Sequence, residues 1–214
     1  MKVALIGATG YVGSQLLNEA LDRGHEVTAI VRRTERLPAR SGLTAAQGDV
    51  NDTDALAGLL AGHDAVIAAY NPDRQIPGDV YERMVAGAES IIAATKKAGV
   101  KRLLVVGGAG SLEVAPGQQV IDQPDFPPEW KAGAGGTRQF LYLLKEEPDL
   151  DWTFLSPAAV LEPGERTEVF RLGGDQLLSD AEGQCRISVQ DYAVAMVDEL
   201  EEPKHTRKRF CVAY

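Results

Sequence analysis

Residues 2–25, KVALIGATGYVGSQLLNEALDRGH, constrain this chain more than any other stretch. Val3, Ala4, Leu5 and Ile6 form an uninterrupted apolar run, which reads as a strand buried on both faces. Gly7, Gly10 and Gly13 break the run, and Leu16, Leu17, Ala20 and Leu21 then recur at helical spacing. The order is strand, glycine turn, helix. A turn without Cβ atoms lets backbone approach a pyrophosphate, and the helix start offers unpaired N–H groups and the positive end of its dipole. On this reading Gly7 permits the tight turn, Gly10 the close approach and Gly13 the packing of helix on strand. The spacing is G-x-x-G-x-x-G rather than the commonest dinucleotide pattern, G-x-G-x-x-G. Glycines this dense also occur in plain turns; the flanking strand and helix are what the phosphate reading requires.

Strand and helix signals continue to alternate. Glu26–Val31 is a second strand, Leu43–Gln47 a third, and Asn51 or Asp52 caps a helix through Leu56 and Leu60. Ala65–Ala69 reads as a fourth strand, Val80–Ala98 as a long helix and Arg102–Val106 as a fifth strand. Such alternation implies right-handed crossovers and a doubly wound, Rossmann-like parallel sheet with helices on both faces. Beyond it, Gly107–Ser111 is a glycine-rich loop and Pro116–Pro128 a proline-rich surface excursion. A helix is expected over about 136–147 and a sixth strand over Trp152–Leu155. Short strands and turns fill 158–185, Ser188 caps a last helix, and Arg209–Ala213 closes the chain as a strand. The expectation is one domain over 1–214, with a cofactor-binding core over about 1–157 and a small, irregular substrate-side annex over about 158–214.

Length and charge narrow the possible partners. A chain of 214 residues can bury roughly 70% of its unfolded surface and needs no covalent staples. Its net charge of −9, from 31 acidic and 22 basic residues, opposes a general role on nucleic acid or membrane surfaces. Cys185 and Cys211 lack metal-ligand spacing, so no metal site is expected, and unpaired thiols suit a reducing compartment. No apolar run approaches about 18 residues and no signal-peptide pattern opens the sequence, so a cytoplasmic protein with small-molecule ligands is expected.

Ligands of such sheets bind beyond the carboxyl ends of the strands. After the first strand come Thr9, Tyr11 and Val12 among the glycines. After the second come Arg32 and Arg33, where a cofactor lacking a ribose phosphate would favour an acidic residue. Two guanidiniums suit a 2′-phosphate, which favours NADPH over NADH; they equally suit a solvated patch. Asp49 and Val50 follow the third strand, in position for adenine or for a turn and cap. Ala69 and Tyr70 follow the fourth, with packing the alternative for Tyr70. Gly107 and Gly108 follow the fifth as a wall facing nicotinamide, and Ser156 and Pro157 follow the sixth. Trp130, with Phe126 and Pro127, suits an aromatic wall or a packing anchor.

These residues carry a resemblance. The segment from Gly7 to Gly13, Gly48-Asp49-Val50, VVGGAGSL through Leu112, and Ser188 to Ala193 resemble the atypical short-chain dehydrogenase/reductase superfamily. Within it the chain is most similar to NAD(P)H-binding proteins described as NADH-flavin reductases, relatives of biliverdin-IXβ/flavin reductase and of NmrA-like proteins. DWTFLSPAAVLEPGERT and FRLGGDQLL extend the similarity over essentially the whole chain. The resemblance implies a nicotinamide cofactor at the positions above and hydride transfer to a flavin (riboflavin, FMN or FAD), a quinone or a similar acceptor.

One departure limits what is implied. Members of the superfamily use a Tyr-x-x-x-Lys pair, the lysine lowering the tyrosine pKa for proton exchange with a carbonyl or hydroxyl. No tyrosine of this sequence has lysine four positions on; Tyr142 and Lys145 are three apart. Carbonyl reduction and sugar epimerisation by the usual route are therefore disfavoured. Flavin reduction is not, because a ring held against nicotinamide accepts hydride directly and takes its proton from solvent. Ser111 is then the candidate catalytic hydrogen-bonding group, with a turn or cap role as its alternative. A non-catalytic, NmrA-like redox sensor is the second function class.

Overall fold

The computed structural model describes residues 1–72 and 79–214. Among the described residues twelve strands are formed: β1 (Lys2–Ile6), β2 (Glu26–Val31), β3 (Leu43–Gln47), β4 (Ala65–Ala68), β5 (Arg102–Val106), β6 (Glu113–Ala115), β7 (Gln118–Gln119), β8 (Asp151–Ser156), β9 (Val160–Glu162), β10 (Arg171–Gly173), β11 (Arg186–Ser188) and β12 (Lys208–Ala213). The helices are α1 (Tyr11–Asp22), α2 (Thr53–Leu60), α3 (Val80–Lys97), α4 (Pro128–Lys145) and α5 (Val189–Glu201). Eight strands form the main sheet in the order β10-β12-β8-β5-β4-β1-β2-β3. Its pairings are parallel except for β10, which closes one edge antiparallel to β12. This is the doubly wound Rossmann-like arrangement, and the strand order reverses beside β1.

The continuous apolar strands serve two cores at once. In β1, Val3 and Leu5 face a cluster with Leu16 and Leu17 of α1 and Tyr192 and Met196 of α5. Ala4 and Ile6 face the opposite cluster with Leu56, Ile91 and Phe140 from α2, α3 and α4. The period-two alternation of a strand explains why neither face needed a polar residue. Fully buried side chains such as Phe154 and Phe210 each contribute roughly 1.5–3 kcal/mol by leaving water.

Two stretches differ from the sequence expectation. Helix α4 begins at Pro128, two turns before the expected start. Proline is tolerated in a first helical turn, and the glycines that lower this segment's propensity are what let it dock. A Cβ on Gly136 would stand 2.6 Å from Met84 Cβ of α3, so only a bare backbone allows α3 and α4 to approach this closely. The proline-rich excursion opens as the turn of a hairpin between β6, which precedes it, and β7, and β7 leads into a helical turn over Val120–Asp122. Of the segment 158–214, α5 and β12 lie within the main architecture: α5 packs on α1, and β12 is hydrogen-bonded between β8 and β10. No helix among the described residues is long and apolar enough to cross a membrane.

Candidate functional site

The glycine turn lies at the carboxyl end of β1, between β2 and β4. Gly7 has φ +82°, and a Cβ there would stand 2.4 Å from Ala69 O. On Gly13 a Cβ would stand 2.1 Å from Gly7 O. Both glycines are therefore demanded by the backbone itself. Gly10 is not: its φ is −78°, and a Cβ would meet only Gly7 O, at 3.2 Å. What distinguishes Gly10 is its place as the cap residue of α1, where no side chain accepts from the first turn. Asp52, Asp79 and Ser188 do cap α2, α3 and α5. Helix α1 thus presents its first amides with no competing side-chain acceptor, a cradle that fits a diphosphate.

The flanking candidates divide by environment. Thr9 is exposed and Val12 half-buried, while the Tyr11 ring is 53% exposed and its hydroxyl donates to Leu161 O of β9 at 3.4 Å. Arg32 and Arg33 are exposed beyond β2. A small cavity of about 250 Å³ beside the turn is lined by Thr9, Ser14, Asn18, Arg36 and Leu37. Arg36 was passed over in the sequence, although RRTER places three guanidiniums after the second strand. A helical turn over Thr34–Arg36 carries it back toward Thr9.

Asp49 is committed locally: its Oδ1 accepts from Asn51 N and from Asn51 Nδ2, both at 2.9 Å. Val50 O accepts from Ser90 Oγ, and the helix cap is Asp52, which accepts from Ala55 N. Ala69 contributes backbone, its carbonyl facing Gly7. Tyr70 turns inward; its ring covers Gly87 of α3, where a Cβ would stand 2.2 Å from Cε1, and its hydroxyl donates to Arg83 O at 3.2 Å. Burial raises its pKa.

Beyond β5 the glycines separate. Gly107 is pressed on β8, since a Cβ would stand 2.3 Å from the Phe154 ring. Gly108, by contrast, lines a second cavity together with Ala109 and Gly110. Ser111 is 2% exposed, is not among that cavity's lining residues, and its carbonyl and hydroxyl oxygens accept from Arg209 Nη1 at 3.2 and 3.4 Å. Arg209 also pairs with Asp175, so the turn after β5 is fastened to β12. Ser156 and Pro157 are buried, and Ser156 Oγ has no hydrogen-bond partner among the described residues.

The second cavity, of about 470 Å³, lies at the carboxyl ends of β4 and β5, where Asn71 and Gly108 form part of its wall. Phe126, Pro127 and Trp130 line it too. Helix α4 faces it with Trp130, Gly133, Ala134 and Thr137, the i, i+3, i+4, i+7 stripe of a single helix face. Tyr142 and Lys145 are not on that wall; Tyr142 exchanges hydrogen bonds with Gln119 instead.

Comparison with known proteins agrees with this geometry. A family model described as NAD(P)H-binding matches residues 7–203. The uncharacterized protein YwnB of Bacillus subtilis is 40% identical over 99% of this chain and 98% of its own length. A Bacteroides thetaiotaomicron protein provisionally named an epimerase has a solved structure with TM-score 0.93 at 46% identity, covering 100% of this chain and 96% of that one. A Streptococcus pneumoniae protein provisionally named an NADH-flavin reductase has TM-score 0.88 at 35% identity, covering 100% and 99% of the two chains. With a glycine turn and an uncapped helix start at the switch point and family similarity from Gly7 to Pro203, this chain belongs to the NAD(P)H-binding oxidoreductase family of the atypical short-chain dehydrogenase/reductase type.

Proposed function

We propose that this chain is a reductase that passes hydride from NADPH to a small ring acceptor of the flavin or quinone kind. The observation that carries the reading is the cavity of about 470 Å³ beside Gly108, roofed by a helix face with no tyrosine or lysine. That volume is in the range of small-molecule sites. Nicotinamide, when bound, supplies the hydride. The chain's own part is orientation: the amides of the α1 start hold the diphosphate, and the small residues Gly108, Ala109 and Gly110 leave a flat wall. Phe126 and Trp130 fix the plane of the acceptor and exclude water. An acceptor that takes its proton from solvent needs no acid–base pair, and the described residues of this wall provide none.

Arg32 and Arg33 follow β2 on the exposed surface, and Arg36 lines the cavity beside the glycine turn; guanidiniums in this stretch support NADPH over NADH. Tight NADPH binding, at least about tenfold tighter than NADH, is expected in a fluorescence titration. The triple variant Arg32→Ala, Arg33→Ala, Arg36→Ala is expected to abolish the difference; equal affinities in the parent chain would remove the NADPH preference. Riboflavin, FMN or a quinone is expected to accelerate NADPH oxidation by the protein. Absent turnover with tight cofactor binding would leave the second reading, an NmrA-like redox sensor, which the lack of an acid–base pair also favours. That lack opposes an epimerase, whose chemistry needs proton exchange at a hydroxyl.

A further inference from the structure

We infer that the ring acceptor taken by this cavity is uncharged, so that a phosphorylated flavin is selected against and riboflavin or a neutral quinone is preferred. The inference rests on the reductase reading of the same cavity and deepens it. Among the described lining residues there is no lysine, arginine or histidine; the one ionisable side chain is Asp125. Met84, Val114, Val120, Phe126, Trp130 and Leu177 supply the apolar surface, and Asn71, Gln123 and Thr137 supply neutral polar groups. Such a wall stacks and hydrogen-bonds a conjugated ring, but gives a phosphate dianion no counter-charge.

The surroundings point the same way. Asp125 is exposed, and Glu129 stands in the first turn of α4, so acidic groups flank the cavity. The nearby guanidinium of Arg138 is already engaged, donating to both Asp122 carboxylate oxygens at 3.0 Å and to Gln119 Oε1 at 3.1 Å. The start of α4 is also a poor anion site. Pro127 and Pro128 have no N–H, and the Trp130 N–H is taken by Pro127 O at 3.1 Å. At the cavity mouth the carboxylates of Asp125 and Glu129 outnumber the Lys131 ammonium of the same turn, and the chain's net charge of −9 adds to the repulsion of a phosphate tail. The reaction balances without a further reagent. The neutral ring gains the two electrons and hydrogen that NADPH loses as hydride, and one proton from water, giving NADP⁺ and the dihydro-acceptor.

The test is steady-state NADPH oxidation by the full chain with riboflavin against FMN, and with a neutral naphthoquinone against its sulfonate. At low salt kcat/KM for riboflavin is expected to exceed that for FMN by about tenfold or more, with the quinone pair in the same sense. The gap is expected to narrow as ionic strength rises, because exposed carboxylates are screened. Asp125→Lys is expected to lower the riboflavin-to-FMN ratio several-fold. FMN equal to or better than riboflavin at low salt would overturn the inference. If no acceptor is turned over, the reductase reading fails, and selectivity is read from quenching of flavin fluorescence by the NADP⁺-loaded chain. Riboflavin bound more tightly than FMN then upholds the preference for uncharged rings, whereas equal or absent binding of the two overturns it.

Discussion

Helices α1 and α5 pack side by side on one face of the sheet, yet their amino ends are opposites. The α1 end is a glycine with no side-chain cap. At α5, Ser188 Oγ accepts from Asp191 N at 2.9 Å, and Asp191 is fully buried. Its carboxylate accepts from Thr167 N, Glu168 N, Thr167 Oγ1 and the Tyr214 hydroxyl, at 2.8, 2.9, 2.6 and 2.7 Å. One helix start is satisfied by a side chain of its own; the other has no side-chain acceptor. The difference teaches where stability and binding part: the α5 cap contributes to folding, whereas the α1 start, unlike the proline-blocked and equally uncapped start of α4, keeps its amides open to a ligand.

Substitutions can break that contrast, and the largest effect belongs to the open end. Gly13→Ala places a methyl 2.1 Å from Gly7 O, and is expected to abolish NADPH binding and to cost about 3 kcal/mol in a urea melt. A variant binding NADPH normally would show that the turn is not the cradle. At the closed end, Asp191→Ala leaves two amides and two hydroxyls without their acceptor. It is expected to cost about 2 kcal/mol, with NADPH affinity of the folded protein changed far less than in Gly13→Ala. The same carboxylate supplies a pH signature. Burial pushes its pKa up, but hydrogen bonds led by the Thr167 hydroxyl outweigh burial and hold it below the usual carboxylate range. Its stabilisation is therefore present above the unfolded value of about 4 and is lost as pH falls through the lower folded value. Asp191→Ala should flatten that acid limb of the stability profile; an unchanged limb would assign it to Glu19 and Glu199, whose pKa values are also lowered. Smallest of the three, Ser188→Ala removes the cap and the bond its hydroxyl donates to Glu165 O at 2.8 Å, and is expected to cost about 1–1.5 kcal/mol, visible in the melt and absent from the NADPH titration.

Legibility in the sequence followed the range of the interaction. The strands of the parallel sheet and the glycine turn were readable because apolar runs and glycine spacing are local signals. Gly7 and Gly13 are confirmed as steric necessities by backbone that surrounds them. The start of α4 was not readable, because its glycines argue against a helix until Met84 and Tyr81 of α3 are packed on them. Tyr70 and Gly107 follow strands at the ligand edge, but whether such residues face the cleft or the core depends on Gly87 and Phe154. Arg36 was visible as a third guanidinium and became meaningful once the turn carried it to Thr9.

The sequence by itself determined the alternating architecture and the glycine turn ahead of an uncapped helix start, because both depend on residues within one or two turns of each other. Only tertiary structure decided which side chains line the large cavity. The cavity wall is drawn from segments as distant as Asn71, Gly108, Trp130 and Leu177. Contacts of that separation are fixed by packing of whole elements, where the same serine or tyrosine serves the core or the cleft according to what lies opposite.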